Sequence, residues 1–225
     1  MNTWTPDDQM PYDDVASDAQ AEAIRRRLPM NPRVLDLGCG TGRVATRLGD
    51  SIALHGVDRD EALLREYASR TGAETSCLDF VSSVEAIPAG PFDAVLLLGN
   101  TLMEVVNPLH AYRLIAGVAT RLTPQGVFVI DDFPVDLWQA VSDGLWCNGI
   151  DESGTIQMVW AAGDPVFTLR YDEDVDPQST LLGKDDRRFR LYSWGELSLY
   201  CALNGLKGPA HDVDGHVMVC ERTAM

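Results

Sequence analysis

A short apolar run that ends in three alternating glycines constrains the fold of this chain more than any other segment. Residues 34–42 read Val-Leu-Asp-Leu-Gly-Cys-Gly-Thr-Gly. An apolar run of this length indicates a buried strand, and the glycines indicate a turn where the backbone passes close to a ligand. Residues 43–48 can open a helix after this turn. The segment therefore predicts the strand, loop and helix of a nucleotide-binding unit.

The spacing of the glycines narrows the choice of ligand. A dinucleotide fingerprint, Gly-x-Gly-x-x-Gly, would need its last glycine where Arg43 stands. Asp36, two residues before Gly38, adds a carboxylate that would repel a diphosphate. A ligand that carries an amine or ammonium group suits this carboxylate better, so the loop disfavours a dinucleotide.

Predicted strands and helices alternate from this unit as far as residue 131. The strands lie at 33–37, 52–57, 74–78, 92–98 and 127–131, and the helices at 18–28, 61–70 and 108–122. Continuous apolar strands are typical of a parallel sheet that is covered on both faces. Short strands at 155–160, 166–171 and 187–192 follow, then a helix at 194–203 and a strand at 216–221. The chain is thus predicted to be α/β, a doubly wound, mostly parallel Rossmann-like sheet with an antiparallel β insertion after the fifth strand.

The charge balance limits the kinds of partner. Acidic residues number 34 against 18 basic ones, which gives a formal net charge of −16. This charge repels nucleic acid phosphates and anionic membrane surfaces, so we expect neither as a partner. A length of 225 residues suits one domain with a modest insertion.

The cysteines and the N-terminus bear on the cellular compartment. Five cysteines are dispersed with no Cys-x-x-Cys pair, which argues against a disulfide framework or a zinc site and fits reduced thiols. Residues 1–12 are polar and acidic and lack the apolar core of a signal peptide. We therefore expect a cytoplasmic protein. For the oligomeric state, we expect either a monomer or a homodimer.

Polar side chains follow the predicted strands at the edge where doubly wound sheets bind ligands. Asp58 comes about 20 residues after the glycine loop, where a carboxylate can accept both hydroxyls of a ribose. Asp79 and Phe80 offer an acceptor for an adenine amino group and an aromatic neighbour for its ring. Gly99 and Asn100 end the most hydrophobic strand. The alternatives are that Asp58 caps the next helix, that Asp79 is a turn residue and that Phe80 belongs to the core.

This order of motifs resembles that of the class I S-adenosylmethionine (SAM) dependent methyltransferases, whose motif I is similar to residues 34–42. The resemblance covers residues 33–131 closely and the last helix and strand hairpin more loosely. It implies a seven-stranded sheet, SAM as cofactor and S-adenosylhomocysteine as its product. Within that family, Gly38, Gly40, Asp58 and Asp79 match the positions that typically hold SAM. The full set of residues that we expect to bind the cofactor is Asp36, Gly38, Cys39, Gly40, Asp58, Arg59, Asp79, Phe80 and Gly99.

Two further segments resemble the small-molecule branch of that family. Residues 12–14, Tyr-Asp-Asp, resemble an N-terminal lid whose aromatic hydroxyl faces the cofactor, and residues 187–197 resemble the segment before the last helix. We therefore expect four parts in the chain. They are an N-terminal arm and helix at 1–32, a SAM-binding core at 33–133, an antiparallel substrate cover at 134–192, and a last helix and strand hairpin at 193–225.

Methyl transfer from a sulfonium is an in-line displacement, to which alignment of the nucleophile and exclusion of water contribute strongly. The residues that we expect to be catalytic are Tyr12, Asn100 and Asp131, and those that we expect to bind substrate are His110, Asp132, Trp138, Trp160, Arg170 and Tyr192. Arg170, with Arg190, could clamp a substrate carboxylate or lie at the surface. The tryptophans could line the pocket or form the core of the antiparallel layer.

Adjacent aspartates at the end of the fifth strand raise the question of a metal. Asp131 and Asp132 could hold a divalent cation with a third carboxylate, as in catechol O-methyltransferases. Asn100 or Gly99 stands where those enzymes carry an aspartate, so we predict a reaction without metal.

The sequence favours SAM-dependent transfer of a methyl group to a small-molecule acceptor, with an amine nitrogen as the preferred nucleophile. Methylation of a peptide or protein N-terminus and O-methylation of a small metabolite are alternatives with the same cofactor. An NAD(P) oxidoreductase would lack its last loop glycine and a Tyr-x-x-x-Lys pair. A SAM-binding regulator without catalysis is the remaining alternative.

Overall fold

The computed structural model describes residues 14–131, 149–150, 153–214 and 216–223. Ten strands are found in this part of the chain. They are β1 (Arg33–Leu37), β2 (Ala53–Asp58), β3 (Glu74–Cys77), β4 (Phe92–Leu97), β5 (Leu122–Asp131), β6 (Ile156–Trp160), β7 (Val166–Tyr171), β8 (Phe189–Arg190), β9 (Leu206–His211) and β10 (Val217–Arg222).

The main sheet has seven strands in the order β3-β2-β1-β4-β5-β10-β9. Strands β1 to β5 are parallel, and β10 lies antiparallel between β5 and β9. The strand order reverses between β1 and β4, and ligands of doubly wound sheets bind at such a reversal, beyond the carboxyl ends of the strands. The predicted fold class is confirmed, including the number of strands and the mostly parallel pairing.

Four α-helices lie in the described residues: α1 (Asp14–Arg25), α2 (Glu61–Thr71), α3 (Pro108–Arg121) and α4 (Trp194–Leu203). Side-chain caps set where three of them begin, and at α3 the cap is Asn107, which accepts the backbone N–H of Leu109. Asp60 accepts the backbone N–H groups of Ala62 and Leu63 at the start of α2. Ser193 and Glu196 form a reciprocal capping box at α4, whose bounds agree with the prediction.

The segment after the glycine loop is the main difference from the prediction. A helix was expected to open at residues 43–48, but the structure has a single 3₁₀ turn, Ala45–Arg47. Gly42 and Gly49 flank this turn with φ angles of 83° and 101°. A positive φ interrupts a right-handed helix, so the prediction of a helix here is wrong.

A second sheet follows β5 along the chain, as predicted. Strands β6, β7 and β8 pair antiparallel, and β8 is only two residues long where a strand at 187–192 was expected. Strand β9 has no clear apolar pattern because Gly208 and Pro209 interrupt it. It lies at the edge of the main sheet, where a proline is tolerated.

The core lies on both faces of the main sheet. On strand β1, Leu35 and Leu37 pack into the apolar cluster on one face of the sheet, and Val34 packs into the cluster on the other face. This two-sided burial explains the continuous apolar strands. Within the described residues, every helix is too short or too polar to cross a membrane.

Candidate functional site

A cavity of about 590 Å³ lies at the carboxyl ends of the parallel strands. Its volume is within the range of small-molecule binding pockets. All of the predicted cofactor-binding residues line it: Asp36, Gly38, Cys39, Gly40, Asp58, Arg59, Asp79, Phe80 and Gly99. Chain segments far apart in sequence therefore meet at one place, and we call this space the cofactor cavity.

The glycine loop is fixed to the neighbouring strand. The backbone N–H groups of Gly38 and Cys39 both donate to the carbonyl of Val57, at 2.8 and 3.1 Å. A Cβ atom on Gly38 would lie 2.6 Å from Cγ2 of Thr101, so a larger residue would displace that side chain. A Cβ on Gly40 would meet no atom within 4 Å. The loop is thus anchored on one side and leaves its backbone accessible on the other.

The carboxylate of Asp58 is held by two backbone groups. Oδ2 accepts the N–H of Gly40 at 3.0 Å, and Oδ1 accepts the N–H of Asp60 at 3.0 Å. The cap of α2 is Asp60, so the alternative role of Asp58 as that cap is wrong. Its two hydrogen bonds fix the carboxylate between the glycine loop and α2, inside the cofactor cavity.

Asp36 lies at the floor of this cavity and is buried. Burial raises the pKa of Asp36 to about 7, and the charge of Asp58 adds to the effect, whereas Tyr67 and Arg43 oppose it. The Tyr67 hydroxyl is close enough to Asp36 to interact, yet it completes no hydrogen bond within the described residues. A buried carboxyl that ionises near neutral pH can respond to a cationic ligand.

Asp79 and Phe80 occupy a turn after β3. Asp79 Oδ1 accepts the N–H groups of Val81 and Ser82 at 3.1 and 3.3 Å. Burial acts to raise the pKa of Asp79, but these hydrogen bonds and the charge of Arg59 outweigh it and lower the pKa. Asp79 is therefore a turn residue that also lines the cavity, and Phe80 is a core residue that does so.

Asn100 and Asp131 meet beside the cavity rather than in its lining. Asn100 has a left-handed backbone, with φ of 56°, and follows Gly99, whose φ is 70°. Its N–H points at both carboxylate oxygens of the buried Asp131, at 3.2 and 2.9 Å. This contact joins the ends of β4 and β5 and fixes the turn that brings Gly99 and Thr101 to the cavity.

Sequence reasoning missed a charged cluster at the cavity. Glu104 lies on the 3₁₀ turn Thr101–Glu104, and its Oε2 lies 3.3 Å from Nη2 of Arg59. Its Oε1 lies 2.5 Å from Nη2 of Arg187, which precedes β8 in the second sheet. All three residues line the cavity. Only Arg59 was predicted as a site residue, because the contact between Glu104 and Arg187, which begins the segment 187–197, arises through the fold.

Arg43, which replaces the last glycine of a dinucleotide loop, also lines the cavity. Its guanidinium donates to Oγ of Ser17 and to Oε1 of Gln20, at 2.8 and 2.9 Å. Both acceptors are buried on α1. Arg43 thereby connects the N-terminal helix to the glycine loop.

The predicted substrate-binding residues have diverse surroundings. Tyr192 is buried and donates its hydroxyl to the carbonyl of Val105. Trp160 packs on Phe167, with ring centroids 4.8 Å apart. His110 is half-buried in the first turn of α3. None of these three predicted residues is among the lining residues of the cofactor cavity.

The two arginines considered as a substrate clamp are engaged by the protein itself. Arg170 donates to backbone carbonyls of Ser179 and Leu181 and pairs with Asp186 at 2.7 Å. Arg190 pairs with Asp164 at 2.6 Å and with Glu196 at 3.1 Å, and its side chain is as little exposed as that of Arg170.

Tyr12, Asp132 and Trp138 lie outside the described residues. In the part of the chain that is described, no group of three or more metal-ligating side chains comes together.

Comparison with known proteins places this site in context. Residues 34–126 match a family model described as a methyltransferase domain. A carboxy-S-adenosyl-L-methionine synthase of Campylobacter concisus is 28% identical over 127 residues, which cover 55% of this chain and 53% of the relative. A trans-aconitate 2-methyltransferase of Deinococcus radiodurans is 30% identical over 133 residues, with coverages of 57% and 48%. The chain thus matches about half the length of these curated relatives.

The likeness to solved structures extends over nearly the whole chain. The PH0226 protein of Pyrococcus horikoshii OT3 has a TM-score of 0.68 and 17% sequence identity, covering 99% of this chain and 96% of the other. At this identity the likeness establishes the fold.

Proposed function

We propose that this chain is a class I SAM-dependent methyltransferase, which transfers a methyl group from SAM to a small-molecule acceptor. The methyltransferase domain that residues 34–126 match and the fold of the whole chain support the proposal. An amine nitrogen is the acceptor that we favour, and the reaction needs no metal. The observation that carries the proposal is the cofactor cavity, in which the glycine loop, Asp58 and Asp79 come together.

The lining of the cavity fits SAM. Asp58 is held by backbone N–H groups, which leaves a carboxylate fixed in place for the two ribose hydroxyls. Asp36 supplies a buried carboxyl near the accessible backbone of Gly40, suited to the amine of a methionine group. When bound, SAM would supply a methyl group on a sulfonium, an already good leaving group.

The residues of the chain would act mainly by positioning. Asp131 holds the N–H of Asn100, and this contact fixes the turn at the end of β4 next to the cavity. We assign Asp131 a positioning role through Asn100. Tyr12 would contribute from the N-terminal arm, Asp132 from the end of the SAM-binding core and Trp138 from the substrate cover. Fixed geometry and exclusion of water are sufficient to accelerate a displacement of this kind.

The chemistry of the lining supports nitrogen over oxygen as the nucleophile. The described lining residues contain carboxylates and arginines but no histidine, the commonest general base. A hydroxyl acceptor would need one of these carboxylates as its base, or a metal, whereas an amine needs only to be neutral. A peptide N-terminus is the second acceptor that this argument allows, and O-methylation of a metabolite is the third.

A transfer assay with SAM labelled in its methyl carbon tests the proposal. The purified protein is incubated with labelled SAM and an extract of the source cells, and the products are separated by size. We expect label in the small-molecule fraction, on nitrogen by mass spectrometry, and no loss of activity with a chelator. The Asp58→Ala variant is the control for transfer that depends on the cavity.

The other outcomes each change the conclusion. Label on macromolecules would replace the small-molecule proposal by that of a peptide or protein N-terminus. Activity lost with chelator and restored by magnesium would contradict a metal-free reaction. SAM binding in calorimetry without any methyl transfer would favour the alternative of a SAM-binding regulator without catalysis.

A further inference from the structure

Two arginines share one carboxylate at the wall of the cofactor cavity. Arg59 comes from the end of β2, Glu104 from the turn after β4, and Arg187 from the segment before β8. Glu104 accepts from both guanidinium groups, one on each oxygen. The cluster thus carries one net positive charge in a chain whose formal net charge is −16.

The environment keeps this charge accessible. The side chains of Arg59 and Arg187 are 70% and 35% exposed, against 25% for Glu104. Arg59 donates a single side-chain hydrogen bond, to Glu104, within the described residues, although a guanidinium has five N–H groups. The guanidinium of Arg187 lies over the ring of Phe189, 5.2 Å from its centroid, and this contact favours its position at the cavity.

Two arginines of the second sheet, Arg170 and Arg190, are less exposed than Arg59 and Arg187. The guanidinium of Arg170 is directed at two carbonyls and a carboxylate, and that of Arg190 lies between two carboxylates. Their side chains are only 11% and 10% exposed. Both groups hold the sheet together, so Arg59 and Arg187 are the better candidates for an external anion.

We propose that Arg59 and Arg187 bind a carboxylate group of the acceptor substrate, and that this requirement selects acceptors which carry a carboxylate besides the nucleophile. The inference rests on the proposed function, names its substrate class and gives Arg59 to the acceptor instead of the cofactor, to which the sequence analysis assigned it. The side chain of Glu104 shows that a carboxylate fits between the two guanidinium groups. Arginine presents a planar fork of donors that matches a carboxylate, and such pairs are strong where water is partly excluded.

The position of the cluster suits an acceptor. Arg187 belongs to the second sheet and Arg59 to the core, so a carboxylate that contacts both would tie the substrate to each side of the cavity. Asp36 and Asp58 line the same cavity and have the opposite charge. The acidic side chains suit the ammonium of the cofactor, and the two arginines suit a carboxylate, which the acceptor would supply while the cofactor is bound.

The test measures binding to protein saturated with S-adenosylhomocysteine, by ligand-observed NMR, which detects weak complexes. The probes are matched pairs of acid and primary amide: benzoate and benzamide, succinate and succinamide, phenylalanine and phenylalaninamide. Methylphosphonate is added to separate carboxylate from phosphate chemistry. We expect the acids to bind more tightly than their amides, and more weakly as salt is added.

Variants assign the binding to the cluster. Arg59→Gln and Arg187→Gln are expected to weaken binding of the acids by about tenfold each, and Arg187→Lys to retain part of it. Glu104→Gln is expected to strengthen it, because the two guanidinium groups then lose their internal anion. The matched control is Arg65→Gln, which removes an exposed guanidinium, 73% accessible, that pairs with Glu61 on α2 and does not line the cavity.

Equal binding of acids and amides, or unchanged binding in the Arg59 and Arg187 variants, would overturn the inference. Preference for methylphosphonate alone would also overturn it. Weaker binding in Glu104→Gln would assign Arg59 and Arg187 to a purely structural ion pair. Calorimetry with SAM is run separately: failure of SAM to bind contradicts the proposed function, whereas failure of the acids alone contradicts only the carboxylate requirement.

Discussion

Asp131 receives the backbone N–H of Asn100 on both carboxylate oxygens, at 3.2 and 2.9 Å. The two residues end neighbouring parallel strands, β4 and β5, and both were candidates for catalysis. Asn100 has a left-handed backbone, which asparagine adopts more readily than most residues with a Cβ atom, and the contact fixes it in this conformation. The carboxylate thus supports the turn that delivers Gly99 and Thr101 to the cofactor cavity.

Removal of this carboxylate is expected to destabilise the protein. Asp131→Ala leaves the N–H of Asn100 without its acceptor, which costs roughly 1–3 kcal/mol in the free energy of unfolding. Asp131→Asn keeps an acceptor oxygen and should lose less. Urea unfolding measures both variants. Loss of methyl transfer in Asp131→Ala with unchanged stability would show that Asp131 takes part in the chemistry and not in support of the turn.

Asp58→Ala is expected to weaken SAM binding by about tenfold or more, because it removes a fixed carboxylate proposed to bind two hydroxyls. Calorimetry measures the affinity. Glu61→Ala is the matched control, since it removes a carboxylate three residues away that is 75% exposed and does not line the cavity. Equal affinities in the wild type and Asp58→Ala would show that the ribose assignment is wrong.

Asp36 is expected to release a proton when SAM binds near pH 7. Its pKa is raised to about 7 by burial, so about half of the free protein holds the proton at that pH. A cationic ligand favours the ionised carboxyl and lowers this pKa. Calorimetry in buffers with different ionisation enthalpies measures the proton count. Asp36→Asn should abolish the release, and a release that persists in this variant would place the titrating group elsewhere.

The carboxyl of Asp36 is also expected to make the free energy of unfolding depend on pH. In the unfolded chain it ionises near its ordinary pKa of 3.8, whereas burial delays ionisation in the folded chain to about 7. The folded state therefore loses stability relative to the unfolded one as pH rises between these values. Asp36→Asn should remove this loss, so that its stability relative to the wild type is higher at pH 8 than at pH 4.

The sequence predicts site residues whose position follows from a neighbouring strand, and it misses those that meet only through tertiary contacts. The glycine loop, Asp58 and Asp79 lie at or just after the ends of parallel strands, whose carboxyl ends meet at one edge of the sheet, so these positions could be predicted. Glu104 and Arg187 meet through the docking of the second sheet, and 83 positions separate them along the chain. No periodicity or spacing encodes such a contact. The expected helix after the loop was wrong for a local reason, the two glycines that flank the turn.

Arg43 is expected to hold α1 against the glycine loop. Arg43→Met removes donors to Ser17 and Gln20 while keeping much of the apolar stem. The amides of α1 should then exchange hydrogen about tenfold faster, because less free energy opposes local opening. Hydrogen exchange with mass spectrometry measures this, with Arg65→Met as control. Unchanged exchange would mean that the apolar contacts of Ala21 and Ile24 are sufficient to hold the helix.

Thiol reactivity should separate the cysteines by burial. Cys77 is exposed, whereas Cys39, Cys201 and Cys220 are buried thiols, and burial raises the pKa of Cys39. Cys147 lies outside the described residues, so Cys147→Ser is the background for the experiment. With a disulfide reagent, Cys77 should react at once in the native protein and the three buried thiols only on unfolding. Cys201 and Cys220 have sulfur atoms 3.3 Å apart, and failure of this pair to react after unfolding would show that they form a disulfide rather than two thiols.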